Sequence, residues 1–349
     1  CFLIGKFVFA QLYMQKALPH PFGRDPRPRL NIEHSCKVHV MNSTPTFDFL
    51  QRQPPFSKGD IDRLGQYFAG RRDSPPESAS QILQWHATLT ERSEDAIRKW
   101  IRTHPELAGS STGLVSSGRV KSASTITPKV RDRKLQLSRI QDFSGTRFSW
   151  NCLHGELLGA AEGLASHLAS TGVSAQVKDY LANPQQGYRA IHIWIQAPAG
   201  RLEIQLRTVL QSAWANAFEK AADLTDRRIR YESDFRPTDQ KLNQIVTELL
   251  QLSDSIYELE QRIEANLREE ATLLSNLSAQ SRMVPFSERT HLTMSEVYSY
   301  LARSEYAKSL QASHNRDLLE SLDRLALSLA QYGSSDSSEG GENNGSLPH

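Results

Sequence analysis

Two stretches in the middle of the chain alternate strictly between apolar residues and polar or aromatic ones. They are residues 188–196, with the sequence YRAIHIWIQ, and residues 201–207, with the sequence RLEIQLR. A period of two residues is typical of a strand with one buried face, so both stretches are predicted to be strands. Residues 197–200 between them suit a short hairpin connection. The residues predicted to face the core are Ile191, Ile193, Ile195, Leu202, Ile204 and Leu206.

Apolar residues recur at helical spacing on both sides of these strands, and two further stretches favour strands. Because helices and strands alternate along this part of the chain, the pattern predicts a mixed α/β domain. Its small central mixed sheet is expected to be flanked by helices. The predicted helices are residues 58–70, 79–104, 155–171 and 209–222, and the additional strands are residues 140–150 and 175–177.

The pattern changes in the last third of the chain. Apolar residues recur at alternating steps of three and four from Leu242 to Leu267, which predicts a helix of about 30 residues. This stripe either packs across the α/β domain or forms a coiled coil with a second copy, and we favour homo-oligomerisation through residues 238–268. A further helical segment is predicted at residues 293–332. The tail, residues 333–349, has almost no apolar residues and is predicted to be disordered.

The composition is that of an ordinary soluble protein, with 38% hydrophobic residues, 23% charged residues and a negative mean hydropathy. The formal net charge of +2 is close to neutral, so attraction to a nucleic acid would need a local basic patch. The three cysteines, Cys1, Cys36 and Cys152, are too scattered for a disulfide framework or a zinc site. No segment approaches the ~18 uninterrupted apolar residues of a membrane span. We therefore expect a cytoplasmic protein with no membrane partner.

The beginning of the chain is atypical. It starts with Cys1, whereas Met41 opens a stretch, MNSTPTFDFL, that resembles a natural start. We interpret residues 1–40 as an upstream extension or the edge of a fragment, and a true N-terminal strand is the alternative. The domains that follow from the pattern are an N-terminal extension that is disordered in part (1–56), an α/β domain (57–235), a helical C-terminal region (236–332) and a disordered tail (333–349).

A basic segment and two carboxylates provide the candidate chemistry. Residues 119–139 hold seven Arg or Lys residues and one acid, Asp132. Asp142 and Glu203 lie on predicted strands beside this positive charge. Carboxylates bind Mg²⁺ through hard oxygen ligands, and guanidinium and ammonium groups neutralise polyphosphate oxygens. The chain has no G-x-x-x-x-G-K-[ST] loop, no G-x-G-x-x-G turn and no H-E-x-x-H motif, so nucleotide chemistry here would use none of those sites.

Four motifs occur in the order and at the approximate spacing of a known family. They are GRVKSASTITPK from residue 118, DFSGTR from residue 142, DYLANPQQGYRAIH from residue 179 and EIQLRT from residue 203. Together they resemble the synthetase domain of the RelA/SpoT family, whose alarmone synthetases move a pyrophosphate group from ATP to a nucleotide 3′-hydroxyl. The resemblance covers about residues 80–235. It implies a nucleotidyltransferase-like synthetase fold, here with a helical C-terminal extension.

The resemblance also implies a role for each matching residue. Arg119 and Arg147 would sandwich the adenine of ATP, because a planar guanidinium stacks on a π face. Asp142 and Glu203 would be the catalytic carboxylates and would bind Mg²⁺. Glu203 would be the second metal ligand, the base that activates the attacking hydroxyl, or both. The remaining implied contacts are those of Lys121, Thr125 and Lys129 with the ATP phosphates, and those of Tyr188, His192 and Ser212 with the acceptor.

Three departures from the family pattern fall on the acceptor side. The loop has NPQQGYRAIH where the family has a sequence like NPKPNGYRSLH, so it is one residue shorter and lacks a lysine. Ala190 stands in place of a serine, and Ser212 in place of the asparagine typical of small synthetases. Losing one charge-assisted contact costs about 1.5–3 kcal/mol, enough to weaken an acceptor by roughly ten- to a hundred-fold. The resemblance therefore leaves the acceptor open.

Three functions are compatible with these residues. The first is a small alarmone synthetase that makes (p)ppGpp from ATP and GDP or GTP, without a hydrolase half, because the chain has no adjacent His-Asp pair. The second is a toxin-type synthetase, with an antitoxin partner, that pyrophosphorylates the 3′-CCA end of tRNA or makes adenine alarmones. The third is an inactive nucleotide-binding regulator, which the presence of both carboxylates argues against. The basic surface for a tRNA would be Arg131, Arg133, Lys134, Arg227, Arg228 and Arg230.

The same residues also have structural explanations that involve no substrate. Arg119 could belong to a solvated basic face, and Tyr188 could be an ordinary loop aromatic. His192 could be a hydrogen-bonded core histidine. The two carboxylates could form ion pairs with Arg147 and Arg207.

Overall fold

The computed structural model describes residues 46–283 and 313–332, except for the side chains of residues 273, 274 and 276–283. The predicted tail, most of the predicted N-terminal extension and the first part of the last predicted helical segment lie outside these residues. Within the part of the chain that is described, no helix combines the length and the hydropathy needed to cross a bilayer.

A five-stranded mixed sheet forms the centre of the fold, with the strand order β1-β2-β5-β4-β3. β2 and β5 run parallel to each other, and every other neighbouring pair is antiparallel. This confirms the predicted mixed α/β class and the small central sheet. The strands are β1 (Val115–Val120), β2 (Ser144–Trp150), β3 (Ser174–Asp179), β4 (Ile191–Ala197) and β5 (Gly200–Thr208).

Helices surround the sheet. α1 begins at a capping box in which the Asp60 N–H donates to Ser57 Oγ and the Ser57 N–H donates to the Asp60 carboxylate. Within the described residues, single turns of 3₁₀ helix lie at Asp48–Gln51, Leu137–Arg139 and Arg227–Arg230. The helices are α1 (Lys58–Phe68), α2 (Ala79–Thr103), α3 (Pro105–Ala108), α4 (Ala123–Arg131), α5 (His154–Ser170), α6 (Val209–Leu224), α7 (Gln240–Met283) and α8 (313–332).

One face of the sheet is the main hydrophobic core. The six residues predicted to face it, Ile191 to Ile195 on β4 and Leu202 to Leu206 on β5, are each at most 1% exposed, which confirms the alternation. Helices α2 and α5 cover this face, through residues such as Trp100 and Leu157. The opposite face of the sheet is consequently left to the polar residues of the same strands.

The apolar stripe at residues 242–263 packs inside its own chain, whereas homo-oligomerisation through residues 238–268 remains a prediction. α7 packs these residues inside its own chain, where Leu249 and Ile256 are buried in one cluster with Trp214 and Phe218 of α6 and with leucines of α8. The apolar stripe is therefore used within the chain because α6 and α8 offer it a complementary apolar surface. Only its last member, Leu267, is exposed, at 36%.

Substitutions along α7 test this packing. Leu249→Ala should lower the free energy of unfolding by about 2–5 kcal/mol, because the removed side chain is fully buried. Leu267→Ala on the same helix is the matched control and should change it by less than about 0.5 kcal/mol. Urea unfolding at two protein concentrations measures both variants. Equal losses, or a Leu249→Ala effect that depends on protein concentration, would contradict packing within the chain.

Candidate active site

The polar side chains of four strands rise from one face of the sheet in two rows. In the first row, Arg119 pairs across the strands with Gly145, Gly145 with Glu203, and Glu203 with Trp194. The second row lies two residues away along each strand. It consists of Ser117, Arg147, Gln205 and His192. Because side chains alternate along a strand, all of these point away from the apolar core. The register thus assembles residues that are far apart in the sequence.

Two cavities open on this face and share a wall. The smaller cavity has a volume of about 200 Å³ and the larger about 370 Å³. Both cavities are lined by Lys121, Asp142, Arg147, Glu203 and Gln205. The two carboxylates singled out from the sequence therefore lie where the cavities meet.

The smaller cavity lies between two arginines on neighbouring strands. Arg119 on β1 and Arg147 on β2 are diagonal neighbours, since Arg119 pairs with Gly145 and Arg147 with Ser117. Ser117 and Gly145, which lie beside the two arginines on the same face, are small. The space beside the guanidinium groups can therefore admit a flat group. Arg119 is exposed at the rim, and Arg147 is half-buried.

Asp142 lies in the turn that precedes β2 and not, as predicted, within the strand. Lys129 Nζ donates to both carboxylate oxygens of Asp142, at 2.8 and 2.6 Å, and Lys121 Nζ also donates to Oδ2. Burial would raise the pKa of Asp142, but the two ammonium groups outweigh it and lower the pKa. The pKa of Lys121 is lowered by burial and by Lys129, with Asp142 acting in the opposite direction.

Glu203 is buried among donors from three neighbouring side chains. Trp194 Nε1 donates to Oε2 at 3.1 Å, and Gln205 Nε2 donates to Oε1 at 2.6 Å. His192 Nδ1 lies 3.6 Å from Oε2. Burial would raise the pKa of Glu203, but His192 and Gln205 outweigh it and lower the pKa, while the charge of Asp142 opposes them. Both carboxylates are therefore ionised at neutral pH.

These carboxylates do not form the ion pairs that the sequence left open. Arg147 donates instead to Glu219 on α6, at 2.9 Å, and Arg207 donates to Tyr188 Oη and Gln205 Oε1. The side chain of Asp142 pairs with lysines, and that of Glu203 accepts hydrogen bonds from Trp194 and Gln205.

The two carboxylates fit a hard divalent cation that is shared with a polyphosphate. Asp142 and Glu203 are both ionised, line the same two cavities and supply the carboxylate oxygens that Mg²⁺ prefers. Across residues 46–283 and 313–332, no group of three or more His, Cys, Asp or Glu residues could hold a metal ion by itself. Mg²⁺ commonly completes its shell with water and substrate phosphates, so two protein ligands suffice.

Tyr188 and His192 form one wall of the larger cavity. A hydrogen bond of 2.7 Å joins Tyr188 Oη to His192 Nε2, and Arg207 Nη2 donates to Tyr188 Oη at 2.7 Å. The Arg207 guanidinium also lies 5.0 Å from the centre of the Tyr188 ring, and Tyr180 meets Tyr188 and His192 edge to face. Burial raises the pKa of Tyr188, with Arg207 opposing it. His192 is thus a hydrogen-bonded histidine that also faces a cavity.

The shortened loop before this wall ends in a tight turn. The Tyr188 N–H donates to the Gln185 carbonyl at 2.9 Å, and the φ angles of Gln186 and Gly187 are +49° and +75°. Two central residues with positive φ are typical of a two-residue type I′ turn, in which glycine is favoured. The loop therefore closes in fewer residues than the family pattern because this turn needs only two.

Some cavity residues were missed by the sequence, and two of the predicted site residues lie outside the lining of both cavities. Glu219 binds Arg147 at 2.9 Å and Arg230 at 3.2 Å and lines the larger cavity. No local pattern signals this contact, because the partners are separated by 72 positions. Thr125 and Ser212, in contrast, line neither cavity. Further lining residues that the sequence did not indicate are Tyr180, Trp194, Trp214 and Tyr231.

A third cavity is larger, at about 530 Å³, but one carboxylate side chain lines it instead of two or more. It lies on the other side of the Asp142 segment, where His86, Phe143 and the β4–β5 turn form part of its lining. Its one carboxylate, Asp62, accepts a hydrogen bond from the Ser138 N–H at 2.9 Å. Of these three cavities, the two smaller ones are those lined by both Asp142 and Glu203.

The Glu219 cluster predicts a pH dependence of stability. Burial would raise the pKa of Glu219, but Arg147 and Arg230 lower it below its ordinary value of 4.5. The ion pairs therefore stabilise the fold above pH 4.5, and their contribution is lost as the pH falls through the lowered pKa. Glu219→Gln should destabilise the protein by about 1 kcal/mol at neutral pH. The difference from the unsubstituted protein should shrink in acid.

The matched control is Asp223→Asn, one turn further along α6, where an exposed carboxylate lies 3.5 Å from Arg227. It should change the free energy of unfolding by less than about 0.5 kcal/mol at either pH. Chemical denaturation at neutral pH and at about pH 3 measures both variants. A Glu219→Gln effect that grows towards acid pH would contradict the assignment.

Several known proteins are similar to about half of this chain. Uncharacterized proteins of Mycobacterium tuberculosis and Mycobacterium bovis are 38% identical over 188 residues, which are 52% of this chain and 65% of each of those proteins. The crystal structures of small alarmone synthetases 1 and 2 from Bacillus subtilis match at 19% and 20% identity, with TM-scores of 0.42 and 0.44. The matches cover 54% and 55% of this chain and 97% and 100% of those chains.

The family assignment rests on the central part of the chain. Residues 118–224 match the family model described as the region found in RelA / SpoT proteins. This segment contains all four motifs from which the resemblance was inferred, and it includes both carboxylates. The resemblance to the RelA/SpoT family is therefore confirmed for residues 118–224, the part of the chain that the family model matches.

Proposed function

We propose that the chain is a pyrophosphokinase that transfers the β,γ-diphosphate of ATP to the 3′-hydroxyl of GDP or GTP and releases AMP. The observation that carries the proposal is the position of Asp142 and Glu203 on the wall shared by two cavities. A transfer between two nucleotides needs two subsites that meet at a charge-stabilising centre. The smaller cavity would take the donor and the larger one the acceptor.

The donor subsite is formed by two arginines and two lysines. Arg119 and Arg147 would hold the adenine between their guanidinium planes. Lys121 lines this cavity, and Lys129, which lines the larger cavity, donates to the same carboxylate of Asp142. Phosphate oxygens would compete with Asp142 for these ammonium groups, so donor binding would release carboxylate oxygens for a metal ion.

Asp142 and Glu203 would hold Mg²⁺. The ion would supply positive charge that offsets the negative charge of the phosphate oxygens. The lowered pKa of Glu203 favours the role of a metal ligand over that of a general base, because a base works best with a pKa near the operating pH. Trp194 and Gln205 hold the Glu203 carboxylate in place.

The acceptor subsite would use Tyr188 and His192 for the base and nearby arginines for the phosphates. Arg133 lines this cavity and lies over the ring of Tyr231, at 5.1 Å from its centre. It provides a positive charge on the acceptor side, where the family's loop lysine is missing. A nucleoside diphosphate therefore still has a cationic partner.

A second acceptor, the 3′-end of tRNA, is favoured by one observation. The exposed Lys134 follows Arg133 in the chain, so positive charge extends outward from the cavity, whereas Arg131 is paired with Asp132 at 2.8 Å. The second basic run argues the other way, because each of its arginines is paired with a carboxylate. The pairs are Arg227 with Asp223, Arg228 with Asp226, and Arg230 with Glu219. A free nucleotide is therefore the better supported acceptor.

The carboxylates are the direct test of the proposal. Asp142→Asn and Glu203→Gln should each lower the rate of diphosphate transfer by roughly a hundredfold or more, because each removes a charge that stabilises the transition state. Asp223→Asn, which removes an exposed carboxylate from α6, is the control and should leave the rate unchanged. The measurement uses β-labelled ATP and Mg²⁺, with GDP, GTP, ATP or bulk tRNA offered separately.

The label is expected on GDP or GTP. Transfer to tRNA alone, with a strong dependence on salt, would replace the nucleotide acceptor with tRNA. An unsubstituted protein that transfers no label to any acceptor, like Asp142→Asn, would contradict the enzymatic proposal.

A further inference from the structure

Helix α7 lies directly against the turn that precedes Tyr188. Ser253 Oγ of α7 donates a hydrogen bond to the Gly187 carbonyl. A β-carbon placed on Gly187 would lie 2.9 Å from Trp214, 3.2 Å from Leu250 and 3.3 Å from Ser253. The turn is thus packed against α6 and α7 with no room for a side chain.

Arg189 connects the same loop to α7 on the other side of Tyr188. Its guanidinium is buried, with the residue 7% exposed, and Nη2 donates to Asp254 Oδ1 at 2.8 Å. Nη1 donates to the carbonyl of Leu181, near the start of the loop. The guanidinium also lies 4.1 Å from the centre of the Tyr257 ring. A buried guanidinium needs such partners, so this arrangement ties both ends of the loop to one helix.

Tyr188 is therefore held from both sides along the chain. Its two sequence neighbours, Gly187 and Arg189, are each bonded to α7, while its own hydroxyl is bonded to His192 and Arg207. α7 begins at Gln240, beyond the end of the family match at residue 224. A helix outside the matched region thus supports the loop that carries the acceptor wall.

We propose that the turn of α7 from Ser253 to Tyr257 is a positioning element of the acceptor subsite and sets the affinity for the acceptor. The proposal rests on the function proposed above, because it takes the cavity at Tyr188 and His192 as the acceptor's. The turn at Gln186 and Gly187 has positive φ at both residues, and its backbone is flexible where glycine is present. Its attachment to α7 preorganises the wall, and a preorganised wall binds a ligand at lower entropic cost.

A double variant and a matched control test this role. Ser253→Ala with Asp254→Ala removes one hydroxyl and one carboxylate that contact the loop region. Ser255→Ala with Glu258→Ala removes the same two chemical groups from the exposed side of the same helix. Each variant is made in the full chain, and its unfolding is compared with that of the unsubstituted protein.

The kinetic result expected is a selective one. The loop variant, which is Ser253→Ala with Asp254→Ala, should have an acceptor KM about tenfold higher than that of the unsubstituted protein. The reason is that losing the two contacts loosens the acceptor wall. The KM for ATP and kcat should stay within about twofold, because the contacts lie away from the donor cavity. The control variant should change none of these values. A loss shared equally between donor and acceptor, or an acceptor KM equal to the control's, would overturn the proposal.

Amide hydrogen exchange separates this proposal from the proposed reaction. The peptide containing residues 180–190 should exchange about tenfold faster in the loop variant than in the control, since Gly187 and Arg189 each lose their hydrogen-bond partner on α7. If exchange rises in this way but no protein transfers diphosphate to any acceptor, the proposed reaction and the acceptor role of α7 both fail, while the anchoring itself stands. If transfer occurs and exchange matches the control, the positioning role of α7 is overturned and the reaction stands.

Discussion

The parallel pairing of β2 with β5 is the constraint on which the site depends. It places Gly145 beside Glu203 and Arg147 beside Gln205, so residues from two distant motifs share one face of the sheet. A slip of β2 by one residue would turn Arg147 into the apolar core and bring Phe148 to the cavities. The cost of burying that charge favours the observed register.

The same burial requires that the charges on the polar face be paired with one another. Asp142 binds two lysines, and Glu219 binds two arginines. Each cluster places an excess of positive charge around one carboxylate, which lowers the pKa of that carboxylate. A polyanionic ligand would find these cations already gathered, and the main adjustment on binding would be an exchange of partners.

The sequence predicted the elements whose signals are local. The alternation at Ile191 to Ile195 identified β4 and its buried face, and the apolar stripe identified α7. β1 and α4 were not predicted, because β1 is largely exposed and rich in Ser and Gly, and α4 has only nine residues with Pro128 inside. α4 is held by tertiary packing, since Ile126 and Val130 are buried in a cluster with α1. Propensity alone cannot reveal that support.

Only those site residues that belong to a motif could be predicted from the sequence. The four motifs identified both carboxylates and the two arginines, and the register then explains how they meet. Two contacts could not be predicted: the ion pair of Arg147 with Glu219 and the packing of α7 on Gly187. In both cases the sequences of the two segments give no sign that they lie together. Such contacts arise from the packing of whole helices, so they become visible only in three dimensions.

The central claim is that the polar sheet face holds two nucleotide subsites that meet at Asp142 and Glu203. The most direct measurement is calorimetric titration with a non-hydrolysable ATP analogue and with GDP, separately and together. The account predicts that both ligands bind at once, that Arg119→Ala weakens only the ATP analogue, and that Tyr188→Leu weakens only GDP, each by roughly tenfold. Competition between the ligands, or equal losses of both in either variant, would contradict it.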